Sequence, residues 1–461
     1  MSPNILKKMY RAGMNGVRIN TAFGDLKQYE EIIENVRRIG EIPVLLDLKG
    51  PEIRVNLSTT LDLKKDDQVE IGRGCPIDFS YEIYDQLNVG DRVLIDDGKV
   101  SMRIIEKDKT RLHLLVDKAG KVEDGKGVNI PRKKLTVPTV SKKDLEVLSL
   151  LKKHDIEFIA LSFVRERKDI TNLKKFIPNL QTEVIGKIEN HQGVENFEEI
   201  LKEADGIMVA RGDLGVEMDL ERVPLIQKHI IQRCNQEGKL SITATEMLES
   251  MTSNPTPTRA EVSDIANAII DGTDTVMLSE ESAIGKYPVQ AVSMMTKIAK
   301  QVEDSTRTNV RGEKFQNVSN TISRSISQIA ETMPLNKVVT MTRTGYTAKM
   351  ITRFRLHQPI ISITTSKTVK NQLELYYGVQ PLQFDYKKEN DRVLAIAQLL
   401  YSKRILKKED NALFTAAIRT NKSHSSNLIE IHTVGELLEF GYATTIGTKQ
   451  TIKEQEVKKI I

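Results

Sequence analysis

The chain of 461 residues has no tryptophan, and aromatic residues make up only 5% of it. Rows of aromatic platforms for the bases of a nucleic acid are therefore missing. Charge of one sign is missing too: 68 Lys and Arg stand against 63 Asp and Glu, a net charge of +5. The two signs are interleaved, with no clustered basic face for a nucleic acid. Two cysteines, Cys75 and Cys234, are too few and too far apart for a disulfide framework or a thiolate metal site. Cys234, in "HIIQRCNQEG", reads as a small core residue of a helix. No apolar run reaches the roughly 18 residues of a membrane helix. "MSPNILKKMYRAGMNG" has no apolar centre of a secretory leader. A cytoplasmic protein without membrane or nucleic-acid partners is expected.

What is present is the composition of a globular protein, 39% hydrophobic and 28% charged. The length suits about three domains. Seven short apolar runs recur: "GVRIN", "IPVLLDLKG", "EFIALSFV", "EVIGKIE", "GIMVAR", "LSITAT" and "DTVMLS". Amphipathic segments such as "LKQYEEIIENVRRIG" separate most of them. Continuous apolar strands alternating with helices predict a parallel sheet buried on both faces. So many units in succession predict a (β/α)8 barrel over residues 1–54 and 136–300. Between them, residues 55–135 change to short alternating strands and turns, a small all-β insertion placed as a lid at the carboxyl end of a barrel strand. There "DDG" and "KAGK" read as hairpin turns. Residues 301–461 read as a smaller α/β domain. Its lysine-rich end, "GTKQTIKEQEVKKII", reads as a mobile tail.

Polar residues gather at the predicted strand ends. "VIGKIEN" puts Lys187 and Glu189 on one side of a strand, because residues two apart point the same way. The next strand ends in Arg211-Gly212-Asp213, and the one after in Thr245-Glu246. An isolated Arg-Gly-Asp is usually a surface turn, and a lone Lys-x-Glu a solvated strand end. Their coincidence at consecutive strand ends favours chemistry instead. Glu189 and Asp213 can share a divalent cation, and Mg²⁺ suits two carboxylates completed by water and substrate oxygens. Lys187 beside them can meet negative charge in a transition state. "GDLG" opens a short helix whose N–H groups suit an anion. These residues support Mg²⁺-dependent chemistry on a phosphate or an enolate and leave the reaction open.

At these residues the chain resembles the pyruvate kinases. "DLKGPEIR", "LIDDGKV", "KGVNIP", "VIGKIENHQGV", "GIMVARGDLGVEM", "ATEMLESM", "NPTPTRAEVSDIANAIIDGTD" and "MLSEESAIGKYP" follow that family in order. "TRTGYTAKMITRFR" follows it more loosely. The resemblance implies phosphoryl transfer from phosphoenolpyruvate to ADP, giving pyruvate and ATP, with Mg²⁺ or Mn²⁺, in a homotetramer. It implies Glu189 and Asp213 as metal ligands and Lys187 as the residue that stabilises the phosphoryl group and enolate. Thr245 is implied in protonation of the enolate, through water, and the Gly212-Asp213 backbone in binding the substrate carboxylate. Arg18, Asn20, Asp47 and Arg54 match positions around the phosphates and a monovalent cation. Ser162 and Ser279 match the same rim, and Lys126 approaches from the lid.

The chain also departs from the family. Ala22 replaces a hydroxyl that helps to hold K⁺, Phe23 replaces a histidine near the nucleotide, and Leu48 stands where K⁺-dependent members carry Thr. K⁺ is therefore expected not to be required, and Asn20 and Asp47 are left as a degenerate site. "NKSHSSNLIEI" is a weak version of a family loop. The "SEES" form, with Glu280 where many members have Gly, looks most like archaeal members. The family's first barrel strand has no counterpart, and the native reading frame is expected to extend about 20 residues upstream of Met1, the share of one strand of such a barrel and its turn. A non-catalytic paralogue and an enolate-handling lyase on the same barrel are the alternatives. Thr342 to Ala348, "TRTGYTA", is a candidate effector phosphate site, with an ordinary strand–helix turn as its plain reading.

Overall fold

In the computed structural model, residues 2–177, 181–303, 318–386, 389, 391–417 and 426–440 are described. The chain divides into two compact units, Met1–Thr306 and Arg307–Ile461. In the first, β1 (Val17–Asn20) and β2 (Val44–Leu48) pair in parallel, with Asn20 opposite Asp47. All of β2 is buried. That is why its sequence, "VLLDL", shows no alternation.

After β2 the chain enters an all-β region: β3 (Val55–Leu57), β4 (Leu61–Leu63), β5 (Gln68–Gly72), β6 (Ile77–Phe79), β7 (Arg92–Ile95), β8 (Val100–Lys107), β9 (Arg111–Lys118), β10 (Gly120–Val122) and β11 (Val128–Asn129). Along β9, Leu112, Leu114 and Val116 are buried while the residues between them are not. That is the period-2 pattern of a sheet with one wet face. "DDG" is a hairpin turn, as predicted. Asp96, Asp97 and Gly98 have φ of 51°, 54° and 77°, and Lys99 N donates to Asp96 O at 3.0 Å. "KAGK" is not a hairpin turn. After Lys118 the chain leaves the main sheet, and β10 pairs antiparallel with the distant β4.

The parallel sheet resumes with β12 (Phe158–Leu161), β13 (Glu183–Ile188), β14 (Gly206–Ala210), β15 (Leu240–Ala244) and β16 (Thr275–Met277). Its order is β1-β2-β12-β13-β14-β15-β16, every pair parallel. All seven strands fall on the seven predicted runs, in the consecutive order of a barrel wall. β1 and β16 are the two edges. Gly206 serves close packing: a Cβ there would lie 2.7 Å from both Ile185 Cδ1 and Leu240 O. The helix Leu26–Ile39 starts where Asp25 accepts from Gln28 N at 2.9 Å, and buries Tyr29, Ile33 and Val36 at helical spacing. Thr258 and Glu261 form a capping box for the helix Arg259–Ile270. Cys234 is buried and, like Cys75, unbonded.

The second unit holds β17 (Lys337–Met341), β18 (Ile360–Thr364), β19 (Val379–Gln383), β20 (Asn411–Ala416) and β21 (Leu428–Thr433). The order is β19-β18-β17-β20-β21, with only β21 antiparallel. One face, with Val339, Met341, Ile361, Ile363 and Phe414, packs on the helix Arg392–Ser402 through Val393, Ile396 and Leu400. Asn421–Ser425 of the "NKSHSS" stretch and the whole lysine-rich end lie outside the described residues. No described helix is long and apolar enough to cross a membrane.

Candidate active site

The carboxyl ends of β1, β2, β12 and β13 bring a charged cluster together. Arg18, on β1, donates from Nε and Nη2 to Asp47 Oδ2 at 2.9 and 2.5 Å. Asp47, on β2, is almost fully buried, and its other oxygen lies 3.2 Å from Lys187 Nζ. Ser162, just after β12, joins the two: Lys187 Nζ donates to Ser162 Oγ at 2.7 Å, and Ser162 Oγ to Asp47 Oδ1 at 3.4 Å. Lys187 Nζ also lies 2.8 Å from Glu189 Oε1, and Phe163 N donates to Glu189 Oε2 at 2.7 Å. The predicted set Arg18, Asp47, Ser162, Lys187 and Glu189 is therefore one contiguous network.

Burial alone would strip charge from this cluster. It works against the ionised forms of Lys187 and Asp47, but their mutual attraction outweighs it. Lys187 is held well above the usual lysine range by Asp47 and Glu189. The Asp47 carboxyl is held below its usual range by Lys187 and Arg18. Asp213 behaves oppositely: burial, then the Glu189 carboxylate, push it up to about 7. The carboxylate of Asp97, in the insertion's hairpin turn, adds to that rise.

Arg211 and Gly212 form a strand-end clamp. Arg211 opens the helix Arg211–Glu217. Its guanidinium reaches Ala244 O at 3.2 Å, Thr245 O at 2.5 Å and Asp264 Oδ2 at 2.5 Å. So Arg211 ties the end of β15 to the helix Arg259–Ile270. Gly212 N donates to Thr245 Oγ1 at 2.9 Å, and Thr245 Oγ1 donates to Ala244 O at 2.6 Å. Thr245 and Glu246 have φ of 67° and 53°. A β-branched residue in the left-handed region is strained, and such strain gathers at functional sites.

Other predicted residues sit apart. Asn20 Oδ1 accepts from Ala22 N at 3.1 Å. Arg54 bonds Glu52 Oε2 from Nε at 2.8 Å and also holds Gly125 O. Lys126 Nζ lies 3.2 Å from Asp96 Oδ1, in the insertion's hairpin turn. Ser279 lies at the end of β16, where its N–H donates to Glu281 Oε2 at 2.7 Å. Thr342–Ala348 joins β17 to the seven-residue helix Tyr346–Thr352, with Gly345 at φ 81°.

Sequence reasoning missed Glu281. Its buried carboxylate accepts from Leu248 N at 3.0 Å as well as Ser279 N, and so couples the loops after β15 and β16. Consecutive glutamates at a strand end were the available signal. Also missed was Asn129 of β11, which donates to Glu217 Oε1 at 2.9 Å and fastens the insertion to the helix after β14.

Glu189 and Asp213 fit a divalent cation. Glu189 Oε1 is buried, faces only the Lys187 ammonium at 2.8 Å, and accepts no other bond among the described residues. The Asp213 carboxyl, raised by burial and by the Glu189 charge, is a second oxygen that a cation would stabilise in ionised form. Among the described residues no cluster of three His, Cys, Asp or Glu side chains forms a metal site. Two carboxylates are the number Mg²⁺ commonly takes from a protein.

Known proteins match this architecture over most of its length. The family "Pyruvate kinase, barrel domain" matches residues 1–292, and "Pyruvate kinase, alpha/beta domain" matches residues 320–432. A pyruvate kinase of Sporosarcina psychrophila is 37% identical over 465 residues, covering 95% of this chain and 79% of that protein. One from Clostridium perfringens is 36% identical over 460 residues, covering 94% and 97%. A crystal structure of a pyruvate kinase from Cryptosporidium parvum superposes with a TM-score of 0.87 at 30% identity, covering 94% of this chain and 93% of that one. With both family regions matched in order, and relatives of this identity along nearly the full length, the chain belongs to the pyruvate kinase family.

Proposed function

We propose that the protein is a working pyruvate kinase, transferring the phosphoryl group of phosphoenolpyruvate to ADP to give pyruvate and ATP. The observation that carries this is the Arg18–Asp47–Lys187–Glu189 network at the mouth of a matching barrel. Glu189 and Asp213 would hold Mg²⁺, or Mn²⁺. Bound there, the cation supplies Lewis-acid neutralisation of the phosphoryl and enolate oxygens. Lys187 keeps its proton against burial and offers fixed positive charge to the phosphoryl group in flight. Asp47 and Ser162 aim it, and Arg18 shares the duty from the opposite side of Asp47. The Asp213 backbone N–H would bind the substrate carboxylate, joined by that of Gly212 once it leaves Thr245 Oγ1. Thr245 gives its proton to Ala244 O and one lone pair to Gly212 N, so a second lone pair can hold the water that protonates the enolate. Arg54 and Asn20 face the nucleotide phosphates, and Lys126 joins them once it leaves Asp96.

K⁺ is not required in this reading. Both Asp47 oxygens are taken by Arg18, Lys187 and Ser162, and Ala22 and Leu48 have no side-chain oxygen. The remaining parts of the reading are a homotetramer in the cytoplasm, an effector phosphate at Thr342–Ala348, and an archaeal-like character supported by Ser279-Glu280-Glu281-Ser282. A lactate-dehydrogenase-coupled assay with Mg²⁺, phosphoenolpyruvate and ADP tests the function. Steady ADP-dependent turnover is expected, and its absence with correctly folded protein moves the reading to the non-catalytic paralogue.

A further inference from the structure

Thr245 and Glu246 are consecutive residues, neither of them glycine, at positive φ, 67° and 53°. A β-branched residue rarely rests there, so something must hold it. The Arg211 guanidinium is placed to do so. Its Nε donates to Ala244 O at 3.2 Å, and its Nη2 to Thr245 O at 2.5 Å and to Glu246 O at 3.3 Å. Three consecutive carbonyls therefore meet one side chain. An extended strand turns successive carbonyls to opposite sides, so only a coiled backbone can offer three together. The fork is itself fixed. Nη1 donates to Asp264 Oδ2 at 2.5 Å, and the Arg211 side chain is only 10% exposed. A guanidinium carries donors alone and stays charged, so none of these bonds can reverse.

The same clamp sets the hydroxyl. Ala244 O accepts from Arg211 Nε and also from Thr245 Oγ1, the latter at 2.6 Å. Gly212 N donates to that Oγ1 at 2.9 Å. When the substrate carboxylate draws the Gly212 N–H away, the guanidinium remains to keep Thr245 in place. We propose that Arg211 is a positioning residue of the reaction: it holds Thr245 in the left-handed conformation that aims its hydroxyl at the water protonating the enolate. The inference rests on the kinase reading for the role of Thr245. In that step the enolate's carbon–carbon π pair takes a proton from the water and becomes a C–H bond. The enolate oxygen becomes the ketone of pyruvate, and solvent returns a proton to the hydroxide left behind. Lysine has no fork, so it can keep the ion pair with Asp264 or reach one carbonyl, but not hold all three.

Arg211→Lys, Thr245→Ala and the double variant of the full chain test this. Exchange of the pyruvate methyl protons with deuterated water, in the presence of Mg·ATP, reads the protonation step run backwards. In Arg211→Lys the exchange rate, and kcat in the coupled assay, should fall about 10²-fold, the effect of a misplaced reacting group. The KM for phosphoenolpyruvate should stay within about threefold of the parent. The double variant should be no slower than Thr245→Ala, because residues that act as a unit are not additive. A crystal structure of metal-free Arg211→Lys should show Thr245 outside the left-handed region. Asp264→Asn, which loosens the guanidinium but keeps it, should give a smaller loss of the same kind, and carries the test if Arg211→Lys does not fold. Unchanged exchange in folded Arg211→Lys would overturn the proposal. So would additive losses in the double variant, or Thr245 still at a φ near 67° without the guanidinium. A parent that neither turns over nor exchanges sinks the kinase reading and this inference with it, whereas a working parent with additive losses sinks this inference alone.

Discussion

The two units place buried polar groups on parallel strands in opposite ways. At the mouth of the first, Asp47, Lys187, Ser162 and Glu189 are charged or hydroxylic and bonded to one another. In the second, Thr340 on β17 is in register with Ser362 on β18 and with Thr415 on β20. All three are fully buried, and their hydroxyls have no hydrogen-bond partner among the described residues. Both sheets read as continuous apolar runs, so strand burial does not separate them. The difference lies in what the polar groups do. The first set is a connected, charge-balanced network, which is costly to build and is kept where charge does chemistry. The second is a row of isolated hydroxyls, which specify little and are expected to be replaceable.

The largest expected effect tests the charged side of that contrast. Asp213→Asn keeps the shape but removes one negative charge from the proposed metal site. Turnover in the coupled assay should fall at least 10²-fold, about 2.7 kcal/mol of transition-state stabilisation. Near-parental turnover at saturating Mg²⁺ would remove Asp213 from the metal site.

The pH dependence of metal binding is the next largest. The Asp213 carboxyl sits at about 7 in the folded, metal-free protein, above its ordinary 3.8. Below that pH it holds a proton that a cation must displace. Apparent Mg²⁺ affinity is therefore expected to be flat above pH 7 and to fall about tenfold per unit below it. Stability of the metal-free protein has the opposite sign: the contribution of the protonated Asp213 is complete below its ordinary 3.8 and lost as pH rises through 7, unless a cation binds. Titration calorimetry between pH 6 and 8 measures the slope, and a pH-independent affinity contradicts the reading.

Monovalent cations should matter less. Replacing K⁺ by a bulky ammonium salt at constant ionic strength is expected to lower the rate less than tenfold, or about 1.4 kcal/mol. A larger loss would mean that Asp47 yields an oxygen to K⁺ in the working enzyme.

The smallest effects sharpen the contrast between hydroxyls. Thr243 Oγ1, on β15 of the first unit, is bonded to Thr273 Oγ1 at 3.0 Å, and both residues are fully buried. Thr243→Val should cost about 1 kcal/mol in denaturant unfolding, the net worth of one such bond. Thr340→Val removes a hydroxyl that has no bond to lose, so it should be neutral or slightly stabilising. A loss at Thr340 as large as that at Thr243 would show that the second unit's hydroxyls are bonded in solution, by water for example.

Much of this was legible in the sequence, for identifiable reasons. The seven barrel strands could be found because parallel strands buried on both faces have no alternation to hide them. Lys187 and Glu189 could be placed together because their spacing is local. Asp96-Asp97-Gly98 could be read as a turn because the residues themselves favour positive φ. The misread and missed features are non-local. The chain around Ala119 and Gly120 crosses to β4, some 60 residues earlier, and no local signal distinguishes that from a hairpin. Arg211 was read for its neighbours in sequence, whereas its partner Asp264 is 53 residues away. Glu281 and Asn129 act through loops that only the fold brings together.

The central claim is that Glu189 and Asp213 jointly hold the divalent cation at the strand ends. Mn²⁺ binding followed by electron paramagnetic resonance, in the parent and in Glu189→Gln, tests it most directly. The account expects one site in the parent, weakened at least 10²-fold in the variant, on the order of 2.7 kcal/mol for one lost charged ligand. Unchanged Mn²⁺ affinity in Glu189→Gln would contradict it.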